Sequence, residues 1–243
     1  MQEVVSIPFF QKFPVHCGTT TRHFPLKIAH SQKLLEEEAA ESIRRFLNLR
    51  PKGWVQAGQI HGAAVAVLDG DRFLSPANTP LLPDTDGLVT QTKDQVLSIV
   101  TADCLPIFFY LEDPPSIGLV HAGWRGSARR IVQNAVSLFK QFSAGAPAKL
   151  HAAFGTSIGP CCYEVGAELE EFFPKRLGKR DGRLYLDLAE ENRRQLIESG
   201  LSPQRIGPSG PCGSCHLDQF YSYRKEGPRA YRMLSWIALK AGV

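Results

Sequence analysis

Three polar residues interrupt apolar runs at their ends: His61 in QIHGAAV, Cys104 in TADCLPI and His121 in LVHAGWRG. Two imidazoles and a thiolate suit zinc, which in catalytic sites takes three protein ligands and keeps a fourth position for water or substrate. The same residues also suit a cysteine hydrolase, with Cys104 attacking, His121 as base, and Asp103 or another acceptor orienting the imidazole. Each has an ordinary reading too, as a separately buried core residue. Their spacing leaves all three alternatives open.

A second cysteine motif, PCGSCH at 211–216, fits three patterns. It reads as half of a zinc nucleobase-deaminase signature, as a haem c attachment site, or as a thioredoxin-like dithiol. The deaminase chemistry needs His-x-Glu, and none of the seven histidines has Glu at the second following position. The dithiol reading wants a helix start in a βαβ setting, whereas this motif lies in a Gly/Pro-punctuated loop. Haem attachment belongs to exported proteins. The N-terminal stretch has no charged start, apolar core and cleavage site, and no run of about 18 apolar residues occurs. The sequence therefore predicts a cytoplasmic protein with reduced cysteines, and ligands for any catalytic metal are to be sought outside this motif.

The chain is 43% apolar with net charge +4, and its 28 basic residues form no block. Nucleic acid and acidic membrane are unsupported as partners, while a small anionic substrate is compatible.

The elements that must position these residues follow from periodicity. Residues 31–48 place Leu34, Leu35, Ala39, Ile43, Phe46 and Leu47 at helical spacing after Ser31. WVQAGQIHGAAVAVLD reads as two short strands, LPDTDGLVTQ as a turn entering a strand, and QVLSIV, IFFYLE and SIGLV as strands, with TADCLP a tight turn. HAGWRG stands at a strand's end and a helix's start, the helix burying Ala128, Ile131, Val132, Ala135, Leu138, Phe139 and Phe142. A strand at KLHAAFG, a helix near 164–173, a strand at LYLDL, a helix near 189–198 and a C-terminal helix near 229–240 complete the reading. Without a regular βαβ rhythm the class is α+β, with mixed β-sheets flanked by helices in one domain over residues 1–243.

TADCLPI, VHAGWRG, IGPCCYEVG and FYSYRKEG, in that order, resemble the laccase-domain family, also called multicopper polyphenol oxidases and peptidoglycan editing factors. The resemblance runs from GTTTRHF to the C-terminus. Members have been reassigned as zinc-dependent purine nucleoside phosphorylases with adenosine deaminase activity. The resemblance implies a fold like that of the cytotoxic-necrotizing-factor deamidases, and His61, Cys104 and His121 as catalytic metal ligands. It implies Zn2+ as cofactor, with copper as an alternative metal. The implied substrates are adenosine, inosine, guanosine or methylthioadenosine, together with phosphate. It places the family's C-terminal cysteine on Cys212 and leaves Cys215 and His216 as local variation without a catalytic metal. The departures are Gly213 after that cysteine, Lys225 in Ser222-Tyr223-Arg224-Lys225, Ala230-Tyr231-Arg232 where T-G-R is usual, and Thr156.

For such a reaction Arg22, Arg125 and Arg224 are the candidate phosphate ligands, because guanidinium forks bind phosphate bidentately. In an extended segment Gln59 shares a face with His61 and either contacts substrate or satisfies a strand end. Trp124, Phe220, Tyr221 and Tyr223 either stack on a purine or belong to the core. Asp103 either steadies a ligand or caps a turn, and Cys161 and Cys162 are structural. The rival readings are a Cys/His hydrolase or amidase acting on peptidoglycan precursors, a copper-dependent polyphenol oxidase, and a non-enzymatic protein stapled by zinc. A multicopper centre needs more imidazoles than seven scattered histidines provide, and the methionines are Met1 and Met233 alone. The expected assembly is a monomer or weak homodimer.

Overall fold

In a computed structural model that describes residues 2–25, 27–29, 53–68, 70, 81–143 and 149–240, strands carry the framework. One sheet has the order β1 (Val4–Ser6), β2 (Val15–Thr20), β14 (Met233–Leu239), β7 (Gln95–Thr101), β3 (Gly53–Ala57), β5 (Leu81–Leu82). A second has the order β10 (Leu150–Phe154), β8 (Leu105–Glu112), β9 (Pro115–Ala122), β6 (Gly87–Thr90), β4 (Val65–Leu68). A small third sheet joins β11 (Glu164–Val165), β13 (Arg183–Tyr185) and β12 (Gly178–Arg180). Pairing is antiparallel except where β3 meets β7 and β5, and where β4 meets β6. The described helices are α1 (Trp124–Ala128), α2 (Ile131–Phe142), α3 (Leu188–Glu198) and α4 (Tyr223–Glu226).

Alternating side chains sort these strands into layers, as a period of two requires. Phe108 and Tyr110 of β8, and Ile117 and Leu119 of β9, face the first sheet and pack with Leu97, Ile99 and Ile237. Their neighbours Ile107, Phe109, Val120 and Ala122 face the other way, onto Ile131, Val132, Ala135, Val136 and Phe139 of α2. Trp54, Val96, Leu234 and Trp236 cover the outer face of the first sheet together with Phe24 and Ile28. Burying each large apolar side chain of this kind stabilises the fold by about 1.5–3 kcal/mol.

The mixed α+β class stands, with the strands over 53–57, 65–68, 87–90, 95–101, 105–112, 115–122 and 150–154 where the short apolar runs predict them. The helix expected after HAGWRG is divided into α1 and α2 at Arg130, whose φ of 59° is left-handed. The expected helix near 189–198 is α3, capped by the Asp187 carboxylate accepting from Glu190 N at 2.9 Å.

Two expectations fail. Residues 229–240 hold strand β14 rather than a helix, paired on both edges with β2 and β7. Ile237 and Leu239 feed one core and Leu234, Trp236 and Ala238 another, so a short apolar run here is a strand buried on both faces. Residues 164–173 form β11 and a single 3-10 turn at Ala167–Glu170, because Glu164 and Val165 pair with Tyr185 and Leu184. The helix expected over 31–48 lies outside the described residues. No described helix is long and apolar enough to cross a membrane.

The chain passes between the two large sheets at neighbouring points, from β3 to β4 through residues 58–64 and from β7 to β8 through residues 102–104. His61 and Cys104 sit on these crossings. His121 sits at the end of β9, opposite Pro106 of β8.

Candidate metal centre and substrate cavity

Ligand atoms of His61, Cys104 and His121 lie within 4.8 Å of one another. The two imidazole rings stand 4.9 Å apart, tilted by 79°. The backbone of HAGWRG passes close over them: a Cβ on Gly123 would lie 3.0 Å from Cys104 Sγ and 3.4 Å from His61 Cδ2, so any larger residue there would crowd the cluster. His61 is exposed and His121 is buried, so the cluster opens on one side.

Asp86, in the turn entering β6, organises the cluster. His121 Nδ1 donates to Asp86 Oδ1 over 2.8 Å, which leaves Nε2 as the nitrogen that could take a cation. The same carboxylate accepts from the backbone N–H of His61 at 3.0 Å, Gly62 at 2.7 Å and Ile60 at 3.2 Å. Burial works against its ionisation, but the bonds from His121, Gly62 and Ile60 prevail and hold it below the usual carboxylate range. His61 itself has a left-handed φ of 59°, a backbone state that these bonds sustain.

Burial alone would raise the Cys104 thiol. The charge of His121 and hydrogen bonds from His121 and His61 override that and bring it down to about 6. Burial likewise lowers His121, yet Cys104 and Asp86 lift it to about 9. Without a cation the pair is therefore a thiolate and an imidazolium. With one, the thiolate and two neutral imidazoles form the donor set of an open zinc site.

The cluster lines a cavity of about 530 Å³ together with Trp124, Arg125, Tyr163, Tyr223, Arg224 and Arg232, a volume in the range that encloses small molecules. Arg125 stacks its guanidinium 4.3 Å over the Trp124 ring, and among the described residues no carboxylate pairs with it. Arg224 donates to the Glu164 carbonyl at 2.8 Å and lies 5.3 Å over Tyr163. Burial, followed by the nearby Cys104 charge, raises the Tyr163 phenol, which stays protonated as a donor.

The structure moves several residues away from the contacts that sequence suggests. Arg22 is absent from the cavity lining; its guanidinium pairs with Glu226 Oε1 at 2.8 Å and donates to the Phe220 carbonyl at 3.2 Å, which makes it a strut for the C-terminal loop. Gln59 reaches the cavity, but the segment is not extended: its φ is 54°. Its amide nitrogen donates to the Val100 carbonyl at 2.7 Å and its amide oxygen accepts from Val100 N at 2.8 Å, so its polar atoms clamp the crossing to β7. Among the described residues no hydrogen bond joins Asp103 to the His61 or His121 ring. Asp103 accepts from the hydroxyl of Ser222 at 2.8 Å and from Arg224 N at 2.6 Å, and so anchors the loop before α4. Phe220 and Tyr221 belong to the core beside Ala102 and Met233.

Asp86 and the cavity role of Arg232 escape a reading by motif. Asp86 lies in a DTDG turn that looks like ordinary loop chemistry. The available signal was chemical: a ligating histidine wants an acceptor on its other nitrogen.

Comparison with known proteins places this geometry in context. The family model described as multi-copper polyphenol oxidoreductase laccase matches residues 29–240. Purine nucleoside phosphorylase YlmD of Geobacillus stearothermophilus is 34% identical over 195 residues, 76% of this chain and 71% of the relative. A protein named adenosine deaminase RL5, from an unknown prokaryotic organism, is 31% identical over 198 residues, covering 76% of this chain and 75% of its own. The crystal structure of the Bacillus licheniformis hypothetical protein YfiH superposes with a TM-score of 0.85 at 26% identity, over 99% of this chain and 97% of that one.

Proposed function

The chain belongs to the multi-copper polyphenol oxidoreductase laccase family, and from that premise we propose that it is a zinc-dependent purine nucleoside phosphorylase whose site also deaminates adenosine. The observation that carries this reading is the meeting of His61, Cys104 and His121 on the wall of a cavity that also presents Arg125, Arg224 and Arg232. The names of the relatives, one a phosphorylase and one a deaminase, support it.

The three donors and the open side of the cluster fit zinc, which when bound supplies a localised positive charge and Lewis acidity to the cavity. The Asp86 carboxylate holds His121 in the tautomer that presents Nε2. Arg125, Arg224 and Arg232 hold the phosphate anion beside the sugar. In phosphorolysis a phosphate oxygen bonds to C1′ of the ribose as the bond from C1′ to N9 breaks. The electron pair leaves with the purine, which takes up a proton. The Tyr163 hydroxyl is a donor in the same cavity, and Trp124 and Tyr223 offer ring faces for the base. In deamination water adds at C6 of adenosine and ammonia departs, leaving inosine.

Incubation of the metal-loaded protein with adenosine, with and without phosphate, tests the proposal. Adenine and ribose 1-phosphate are expected only with phosphate, and inosine in its absence. Neither product from fully loaded protein would overturn it. Several coppers find less support here than one cation, since only one of the two metal-competent clusters among the described residues contains histidine.

One observation favours a second reading. Cys104, His121 and Asp86 stand in the order thiol, imidazole, carboxylate, with the thiol brought down to about 6, as in a nucleophilic cysteine enzyme acting on amides. That activity would survive chelation of metal, whereas phosphorolysis would be lost and then restored by zinc.

A further inference from the structure

Four sulfurs outside the substrate cavity meet where two loops touch. Cys161 and Cys162 lie between β10 and β11, and Cys212 and Cys215 lie in the loop before α4. Their Sγ atoms are all within 4.8 Å of one another, and Cys215 Sγ is 3.4 Å from those of both Cys161 and Cys162. All four are free thiols.

The backbone around them is shaped to the cluster. Gly159 N donates to Cys212 Sγ at 3.2 Å, and a Cβ at Gly159 would lie 3.2 Å from Cys212 Cβ and 3.4 Å from Cys161 Sγ. The Cys-x-x-Cys segment is a tight turn, with Cys215 N donating to the Cys212 carbonyl at 3.2 Å. Gly213 N donates to the Ser157 carbonyl at 2.9 Å and ties that turn to the other loop.

Thiolates at such separations repel one another unless a cation lies among them. A tetrahedral zinc, with bonds to sulfur of about 2.3 Å, sets its sulfurs about 3.8 Å apart, inside the separations seen here. We infer that Cys161, Cys162, Cys212 and Cys215 form a second metal site, a structural tetrathiolate centre for a single zinc-class divalent cation. All four ligands come from the protein, so the site is closed to substrate.

Its position gives it a purpose. The first loop carries Ile158 and Tyr163 into the cavity. The second carries Ser214 and leads to Ser222 and Arg224, which hold Asp103 beside Cys104. A cation on the four sulfurs staples together the two loops that set Tyr163 and Arg224 around the cavity.

The test is metal content of the full chain, expressed with zinc and purified anaerobically, so nucleoside turnover plays no part. About two zinc ions per chain are expected, falling to about one in Cys104→Ser, to about one in the Cys161→Ser/Cys215→Ser variant, and to none in the combination. Should the doubly substituted loop fail to fold, cobalt titration of Cys104→Ser with the four cysteines intact still decides. One equivalent giving intense thiolate-to-cobalt absorption with tetrahedral ligand-field bands supports the site. A folded Cys104→Ser protein that binds no cobalt or zinc would overturn it, as would recovery of the four thiols as disulfides from the anaerobic preparation.

Discussion

His121 and Asp86 form a pair shielded from solvent, 2.8 Å from Nδ1 to Oδ1, with 3% and 0% of their side chains exposed. Through this one carboxylate the end of β9 and the crossing that carries His61 are held in register.

Asp86→Asn keeps the shape and removes the charge. One amide face then opposes the N–H groups of the 60–62 loop, and His121 loses its ionised acceptor. Zinc affinity, read by competition with a chelator on protein shown to be folded, should fall about 10–100-fold. Unchanged affinity would remove Asp86 from the metal centre.

The metal-free protein should carry a reactive Cys104. Its depressed value of about 6, against an ordinary 9.0, adds stability that is complete above 9 and fades as pH falls to about 6. The raised value of His121, about 9 against 6.5, adds stability that is complete below 6.5 and fades as pH rises to about 9. Between those limits the two slopes offset, so denaturation midpoints report little. Alkylation by iodoacetamide, mapped to the Cys104 peptide, should instead rise through pH 6 and then level off. Cys17, pushed up to about 12 chiefly by burial, should stay unmodified in the same digest. A Cys104 midpoint near 9 would contradict the thiolate–imidazolium pair, and zinc should protect the thiol.

Arg125 and Arg22 should separate cleanly. Arg125→Ala removes a cavity cation, and the KM for phosphate should rise about 10–100-fold, the range of a lost charge-assisted hydrogen bond. Arg22→Ala should leave that KM alone and lower the melting temperature, since it breaks the bonds to Glu226 and Phe220. The reverse pattern, measured by initial rates and thermal scans, would exchange their roles.

Gln59→Ala leaves the Val100 N–H and C=O without their partner side chain. A loss of about 1–3 kcal/mol in unfolding free energy is expected, along with weaker metal binding as the 58–64 crossing loosens. A change confined to the nucleoside KM would instead mark the amide as a substrate contact.

The sheet strands were legible as short apolar runs bounded by turn residues. IFFYLE and SIGLV read as strands and are β8 and β9, with neighbours facing opposite cores. MLSWIAL was not legible in the same way. Like β8 and β9 it is buried on both faces, and a continuous apolar run of this length suits a strand or a helix; only its place between β2 and β7 decides for the strand.

For the candidate metal centre, the sequence by itself determined the available donor types: imidazoles and a thiol where apolar segments end, and three arginines with five donors each to offer an anion. Tertiary structure decided which of them meet. It brought His61, Cys104 and His121 together, chose Asp86 over Asp103 as the imidazole's acceptor, turned Arg22 and Gln59 to structural use, and set Cys161 and Cys162 against Cys212 and Cys215. The physical reason is range. Periodicity, turns and donor chemistry are properties of neighbouring residues, while the meeting of distant side chains depends on strand register and sheet crossings fixed by the summed packing of the whole core.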